Sequence, residues 1–165
     1  MRSVPGQNLK FDWNFAIGEV EIPPSDAYPG DAYVDYIGVN IFDNGAGCCP
    51  EYPIPEGATP QDAQARRQSA WGKKLTGAWG LDFAVLFAAS HRKYLSLPEW
   101  AVVEPVYKGG GDNAFFIERM HDWITHTNLG YQAYFNGGGG LGDHRLTGAT
   151  LFPNAAARYR ELFGS

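Results

Sequence analysis

The chain has 165 residues, of which 15% are aromatic and 19% charged, and its formal net charge is −5. This acidic balance argues against a surface that tracks phosphates, so nucleic acid is not expected as a partner. No apolar run is long enough to cross a bilayer, and the first residues lack the apolar core of a secretion signal, so we expect no membrane association and see no signal peptide.

In the first half of the chain, residues 9–14 and 34–42 are predicted strands, the second being the richer in β-branched and aromatic residues. A long loop rich in proline and glycine follows. It contains the adjacent Cys48 and Cys49, which cannot form a disulfide framework, and we expect them to be free or locally constrained. Residues 61–67 are predicted to form a short helix, and apolar spacing predicts another that ends at about His91.

In the second half, residues 94–100 and 130–136 are the predicted third and fourth strands. Between them, Asp112 is expected to cap a helix that has one apolar face. A glycine-rich loop over residues 137–142 precedes a final helix over residues 154–163. Four β/α units without a hairpin signal imply an α/β fold with a parallel sheet, equal to half of an eightfold barrel.

Glu99 is the most informative single residue, because a carboxylate that closes a buried strand is rarely placed for stability. Burying a charge costs several kcal/mol unless it is paired, so we expect another group to hold it. One interpretation is an acid delivered to the mouth of an α/β barrel, as in glycosidases. The other is a structural ion pair with an arginine.

Cofactor motifs are weak. Gly137, Gly139 and Gly142 match a dinucleotide-binding pattern, but no convincing helix follows them. The glycine loop over residues 109–111 lacks the Lys-Ser/Thr that a phosphate-binding loop requires, and the four histidines show no metal-ligand spacing. The sequence therefore predicts no cofactor and no metal.

Several short motifs occur in the order seen in glycoside hydrolase family 26, at residues 2–6, 11–14, 28–38, 97–100, 110–113, 131–135 and 152–155. The sequence resembles this family of clan A, whose members include β-mannanases and related endoglucanases built on (β/α)8 TIM barrels. The resemblance spans nearly the whole chain but covers only the family's strands five to eight. It implies that residues 1–165 are the C-terminal part of a single catalytic domain, holding the last four β/α units.

The resemblance implies retaining hydrolysis of a β-glycosidic bond, which needs two carboxyl groups about 5 Å apart. Glu99 takes the place of the nucleophile. The acid/base glutamate would end a strand before Met1, so the isolated chain is expected to be inactive. The implied partner is a β-linked polysaccharide or oligosaccharide in an extracellular setting, with self-association or a missing N-terminal half completing the barrel.

The sixth barrel strand departs from the family pattern, in which Val-Asp-Val-Tyr-Asp follows Ile37-Gly38. Here Asn40 replaces the acid and Phe42 replaces a tyrosine whose hydroxyl holds the nucleophile. Loss of that hydrogen bond, worth roughly 1.5–3 kcal/mol, implies weaker catalysis.

Further substrate-binding candidates are aromatic or polar residues at strand ends or in nearby loops. Each also has a structural interpretation: the rings as core fillers, the amides as strand terminators and the histidine as an exposed loop residue. The set is Trp13, Asn14, Asn40, Phe42, Trp100, Tyr134 and His144. Two functions remain open, a β-mannanase-like retaining endo-β-glycosidase acting on plant-type β-glycans and a non-catalytic, β-glycan-binding or inactive half-barrel.

Overall fold

The computed structural model describes residues 5–139 and 142–164. Its main sheet has four parallel strands in chain order: β1 (Asp12–Ala16), β2 (Tyr36–Asp43), β3 (Tyr94–Val102) and β4 (Leu129–Tyr134). The predicted α/β class and parallel pairing are confirmed, with strand ends displaced by at most three residues.

Helices connect or follow these strands: α1 (Pro24–Ala27), α2 (Pro60–Thr76), α3 (Leu81–Ser90), α4 (Ala114–His126) and α5 (Pro153–Phe163), with a 3-10 turn at Pro105–Tyr107. None of the described helices is long and apolar enough to cross a bilayer. Helix α2 extends well beyond the predicted residues 61–67. Its later turns bury Ala70 and Lys74 and pack Trp71 and Leu75 against the core, so the apolar positions that extend the helix are present in the sequence, although the prediction stopped before them.

Two local predictions were wrong. The cap of α4 is Asn113, whose side chain accepts a hydrogen bond from Phe116 N, whereas Asp112 accepts bonds from the first backbone amides of α5. The glycine-rich loop contains a small antiparallel pair, β5 (Gly138–Gly139) with β6 (Gly142–Asp143). Asp112 therefore joins the starts of α4 and α5, which are separated in sequence but adjacent in space.

The main core lies on one face of the sheet, where the helices pack. The apolar residues of the two central strands alternate toward it, among them Ile37, Val39, Ile41, Leu95 and Leu97. The opposite face carries polar and aromatic side chains.

A bulge in β3 changes this alternation near the candidate nucleophile. On β3, Ser96 and Trp100 are four residues apart. Their pairing partners on β2, Gly38 and Ile41, are only three residues apart. The same surplus residue appears against β4. A proline suits a bulge because it has no N–H for the ladder, and Pro98 lies within this segment. As a result, Trp100 lies on the helix-covered side of the sheet, as Leu97 does, whereas Glu99 does not.

The opposite face is concave. The hydroxyl of Tyr131 on β4 donates a 2.6 Å hydrogen bond to Asp12 Oδ2 on β1, and Ser96 Oγ on β3 donates to the same oxygen at 2.5 Å. Three strand spacings would separate β1 from β4 by roughly 14 Å in a flat sheet. Curvature must bring the two outer strands together for these side chains to meet.

Candidate active-site cleft

A cleft of about 600 Å³ lies at the carboxyl ends of β2, β3 and β4. Loops that follow parallel strands meet at this edge, where α/β proteins place their ligands. The cleft wall includes Phe42, Asn44, Glu99, Phe135 and His144. Two of the residues predicted from sequence as binding candidates, Phe42 and His144, therefore lie together with the predicted nucleophile.

Glu99 is half-buried and lines this cleft. We expected another group to hold its charge, but no side chain or backbone group in residues 5–139 and 142–164 forms a hydrogen bond or ion pair with its carboxylate. The structural ion pair considered above is thus absent from the described part of the chain. The carboxylate is available to a ligand that enters the cleft.

Aromatic rings form one wall of the cleft. The Phe42 and Phe135 rings each pack edge-on against His144 with centroids 5.4 Å away, and against each other at 6.1 Å. Sequence reasoning missed Phe135 and the exposed Tyr107, which also lines the cleft. The only available signal was that Phe135 lies next to the end of a predicted strand.

His144 is buried, not an exposed loop residue. Its Nδ1 lies 2.7 Å from the carbonyl oxygen of Val102, which can only accept, so Nδ1 carries a proton. In the neutral ring Nε2 is then the acceptor nitrogen. The Tyr134 hydroxyl donates to His144 O at 2.9 Å and steadies the same segment.

Trp13, Trp100 and Tyr134 are not among the residues that line the cleft and instead pack in or against the core, the structural interpretation that was left open for them. Trp100 is fully buried on the helix side, and its Nε1 donates to Gln132 Oε1 at 2.7 Å. Tyr134 packs edge-on against Trp100 at 4.9 Å. Trp13 packs edge-on against Tyr28 at 5.1 Å, within the core. For Trp100 the physical reason is the bulge, which reverses the facing that its position at a strand end suggested.

Asn14 and Asn40 lie on the concave face but outside the residues that line the cleft. Asn40 Nδ2 donates to Asn14 Oδ1 at 3.3 Å. Asn40 Oδ1 is buried without a hydrogen-bond partner among the described residues. That free acceptor is the feature of the pair that suits a ligand hydroxyl.

A buried polar cluster beneath the cleft was not predicted. Asp43 and Lys74 are each 1% exposed, and Asn113 Nδ2 donates to Asp43 Oδ2 at 2.7 Å. Burial raises the pKa of Asp43, while the nearby Lys74 charge opposes that rise. Burial lowers the pKa of Lys74 to about 8. Lys74 Nζ donates to Asn44 O at 2.8 Å and so holds the segment that forms one edge of the cleft.

Cys48 and Cys49 form a disulfide with each other, so they are locally constrained and not free. The bond closes no long loop, which agrees with the absence of a disulfide framework. In the part of the chain that the structure describes, no group of three or more His, Cys, Asp or Glu side chains is placed to hold a metal ion.

Comparison with known proteins adds no assignment to this geometry. No protein-family model matches the chain, and no curated protein matches it significantly.

Proposed function

We propose that this chain carries the nucleophile side of a retaining, β-mannanase-like endo-β-glycosidase, with Glu99 as the attacking carboxylate. The observation that carries the proposal is the position of Glu99: half-buried in a strand-end cleft, with no partner among the described residues. An unpaired carboxylate beside aromatic rings suits attack on an anomeric carbon, because the rings can pack on the apolar faces of a sugar.

The proposal includes a (β/α)8 barrel of which the described sheet is half. Three observations support it: the strands follow chain order, all are parallel, and the Tyr131–Asp12 bond requires a concave sheet. Barrel closure would pair β1 and β4 with further strands and cover the polar concave face.

Within this proposal, attack by Glu99 forms a covalent glycosyl-enzyme, and water then releases the sugar with net retention. Phe42 and Phe135 would contact the sugar ring, and His144 Nε2 would accept a hydrogen bond from a hydroxyl. Glu99 is the only carboxylate among the described residues that line the cleft. The group that protonates the leaving oxygen would therefore come from outside these residues, as the family resemblance implies. An extracellular β-glycan is the matching substrate.

The role of Glu99 as nucleophile can be tested without the general acid, by a substrate that has a good leaving group and whose sugar stays bound to the enzyme for a long time. A 2-deoxy-2-fluoro-β-mannosyl fluoride needs no protonation of its leaving group, so it should label the nucleophile directly. We expect mass spectrometry to find one fluoro-sugar on the peptide that contains Glu99. Glu99→Gln should abolish labelling, whereas the control Glu104→Gln, which retains an acceptor for Asp143 N, should leave it unchanged.

A non-catalytic β-glycan-binding role is the alternative. Phe42 favours it, because a phenylalanine has no hydroxyl at the position where the family's tyrosine forms a hydrogen bond with the nucleophile. In that case mannan oligosaccharides would bind while the fluoro-sugar labels neither the wild type nor either variant. Labelling at a carboxylate other than Glu99 would overturn the assignment of the nucleophile.

A further inference from the structure

The disulfide between Cys48 and Cys49 presents its two sulfur atoms unequally. Cys49 is fully buried, and its Sγ lies 3.5 Å from the carbonyl oxygen of Ala70 in α2. Cys48 is half-buried and lies nearer to solvent. A reagent that arrives from solution therefore reaches Cys48 first.

The buried Lys74 ammonium lies against both sulfurs. Its Nζ is 3.5 Å from Cys49 Sγ and 3.7 Å from Cys48 Sγ. A disulfide sulfur is a weak, neutral acceptor, whereas a thiolate is an anion, so the same ammonium interacts much more strongly with the reduced form. Asp43, Glu51 and the Tyr52 ring also face this charge and remain present in both forms. The difference between the oxidised and reduced forms thus comes from the sulfurs.

We propose that Cys48–Cys49 is a thiol–disulfide exchange site whose reactant is a dithiol. One thiolate of the dithiol attacks Cys48 Sγ, the Cys48–Cys49 bond breaks, and its electron pair leaves with Cys49 Sγ beside Lys74. The second thiol of the reactant, as a thiolate, then attacks the mixed disulfide at the reactant's own sulfur and releases Cys48. Two electrons and two protons pass from the dithiol, which becomes a disulfide, to the cysteine pair.

Exchange at this site changes the edge of the cleft. Asn44 and Ala46 line the cleft and precede Cys48 by a few residues, and Lys74 holds the Asn44 carbonyl. A Cys49 thiolate competes with that carbonyl for the ammonium, so reduction loosens the segment. The exchange is measured by counting the free thiols of the protein, so its test does not depend on the proposed glycosidase function.

The test equilibrates the full chain with mixtures of reduced and oxidised dithiothreitol, followed by acid quenching, alkylation and mass spectrometry. We expect Lys74→Met to lower the ratio of reduced to oxidised protein about tenfold at a fixed dithiol ratio, because the thiolate loses its counter-charge. Lys73→Met is the matched control. Lys73 Nζ lies 2.7 Å from Glu51 Oε1 and pairs with that carboxylate, not with the sulfurs. Its loss should therefore leave the ratio unchanged.

A second measurement uses only the wild type and therefore does not depend on how well Lys74→Met folds. A brief exposure to glutathione should trap a mixed disulfide on Cys48, and hydrogen exchange at residues 44–46 should accelerate once the pair is reduced. Glutathione on Cys49, equal ratios for Lys74→Met and wild type, or two free thiols in air-exposed protein would each overturn the proposal.

Discussion

Gly38 lies directly beneath Asp12 on the concave face of the sheet: a Cβ at position 38 would approach Asp12 Oδ1 to 2.6 Å and Pro98 Cγ to 2.8 Å. The missing side chain lets the Asp12 carboxylate extend across β2 to Ser96 and Tyr131. A single glycine in a central strand thereby permits the polar contact that links the two outer strands.

Gly38→Ala should destabilise the fold by about 1–3 kcal/mol, because the methyl group displaces either Asp12 or the bulge at Pro98. The free energy of unfolding in urea measures the effect. Gly72→Ala in α2 is the control, since nothing lies within 4 Å of its added Cβ, and it should be neutral or stabilising. Equal stabilities for the two variants would contradict the proposed crowding.

Tyr131→Phe should cost about 1 kcal/mol, the net value of one partly exposed hydrogen bond, by removing a donor to Asp12. Tyr94→Phe, on the neighbouring strand and 60% exposed, should change stability by less than about 0.5 kcal/mol. Desolvation and the bond to Asp12 raise the pKa of Tyr131 to about 12. In Asp12→Asn we expect ultraviolet titration to show one tyrosine ionising at lower pH, and an unchanged titration would count against the contact.

The free energy of unfolding should rise between about pH 8 and pH 10. The pKa of Lys74 is lowered to about 8 from 10.5, so in this window the unfolded chain binds a proton that the folded chain has lost. Above pH 10 the raised pKa values of Tyr28 and Tyr131 act in the opposite direction. Urea titrations across the window should show the rise in Lys73→Met but not in Lys74→Met; a rise retained in both would show that Lys74 is not its source.

Phe42→Tyr should move the acid limb of the fluoro-sugar labelling rate to lower pH. Phe42 lines the same cleft as Glu99, and a phenol donor within reach of a carboxylate stabilises its charged form. Phe135→Tyr in the same wall is the comparison variant. A shift in Phe135→Tyr but not in Phe42→Tyr would place Glu99 nearer to Phe135.

The isolated chain should self-associate at micromolar concentration and show no turnover of galactomannan, mixed-linkage glucan or xylan. In the described sheet, β1 and β4 each have one neighbour, which leaves an edge on either side, and large apolar side chains such as Ile22 and Leu151 are exposed. Light scattering should report a mass above that of one chain, 18.1 kDa. A compact monomer with robust turnover would contradict the half-barrel proposal.

The sequence by itself determined the α/β class and the number and order of the parallel strands. It predicted that Glu99 ends its strand, whereas β3 continues for three more residues to Val102. These features depend on local signals that are readable along the chain: β-branched and aromatic runs, helical apolar spacing, and glycine or proline boundaries. The largest boundary error was in α2, which continues to Thr76 and not only to residue 67.

Only the tertiary structure decided which way the site residues face. One surplus residue in β3 reverses the alternation after Leu97, which buries Trp100 and leaves Glu99 in the cleft, and this count exists only relative to β2 and β4. The Asp43–Asn113–Lys74 cluster and the Cys48–Cys49 link with Lys74 also join residues far apart in sequence. Alternation is a property of a single strand, whereas bulges and buried charge contacts depend on neighbouring segments, so no local pattern could predict them.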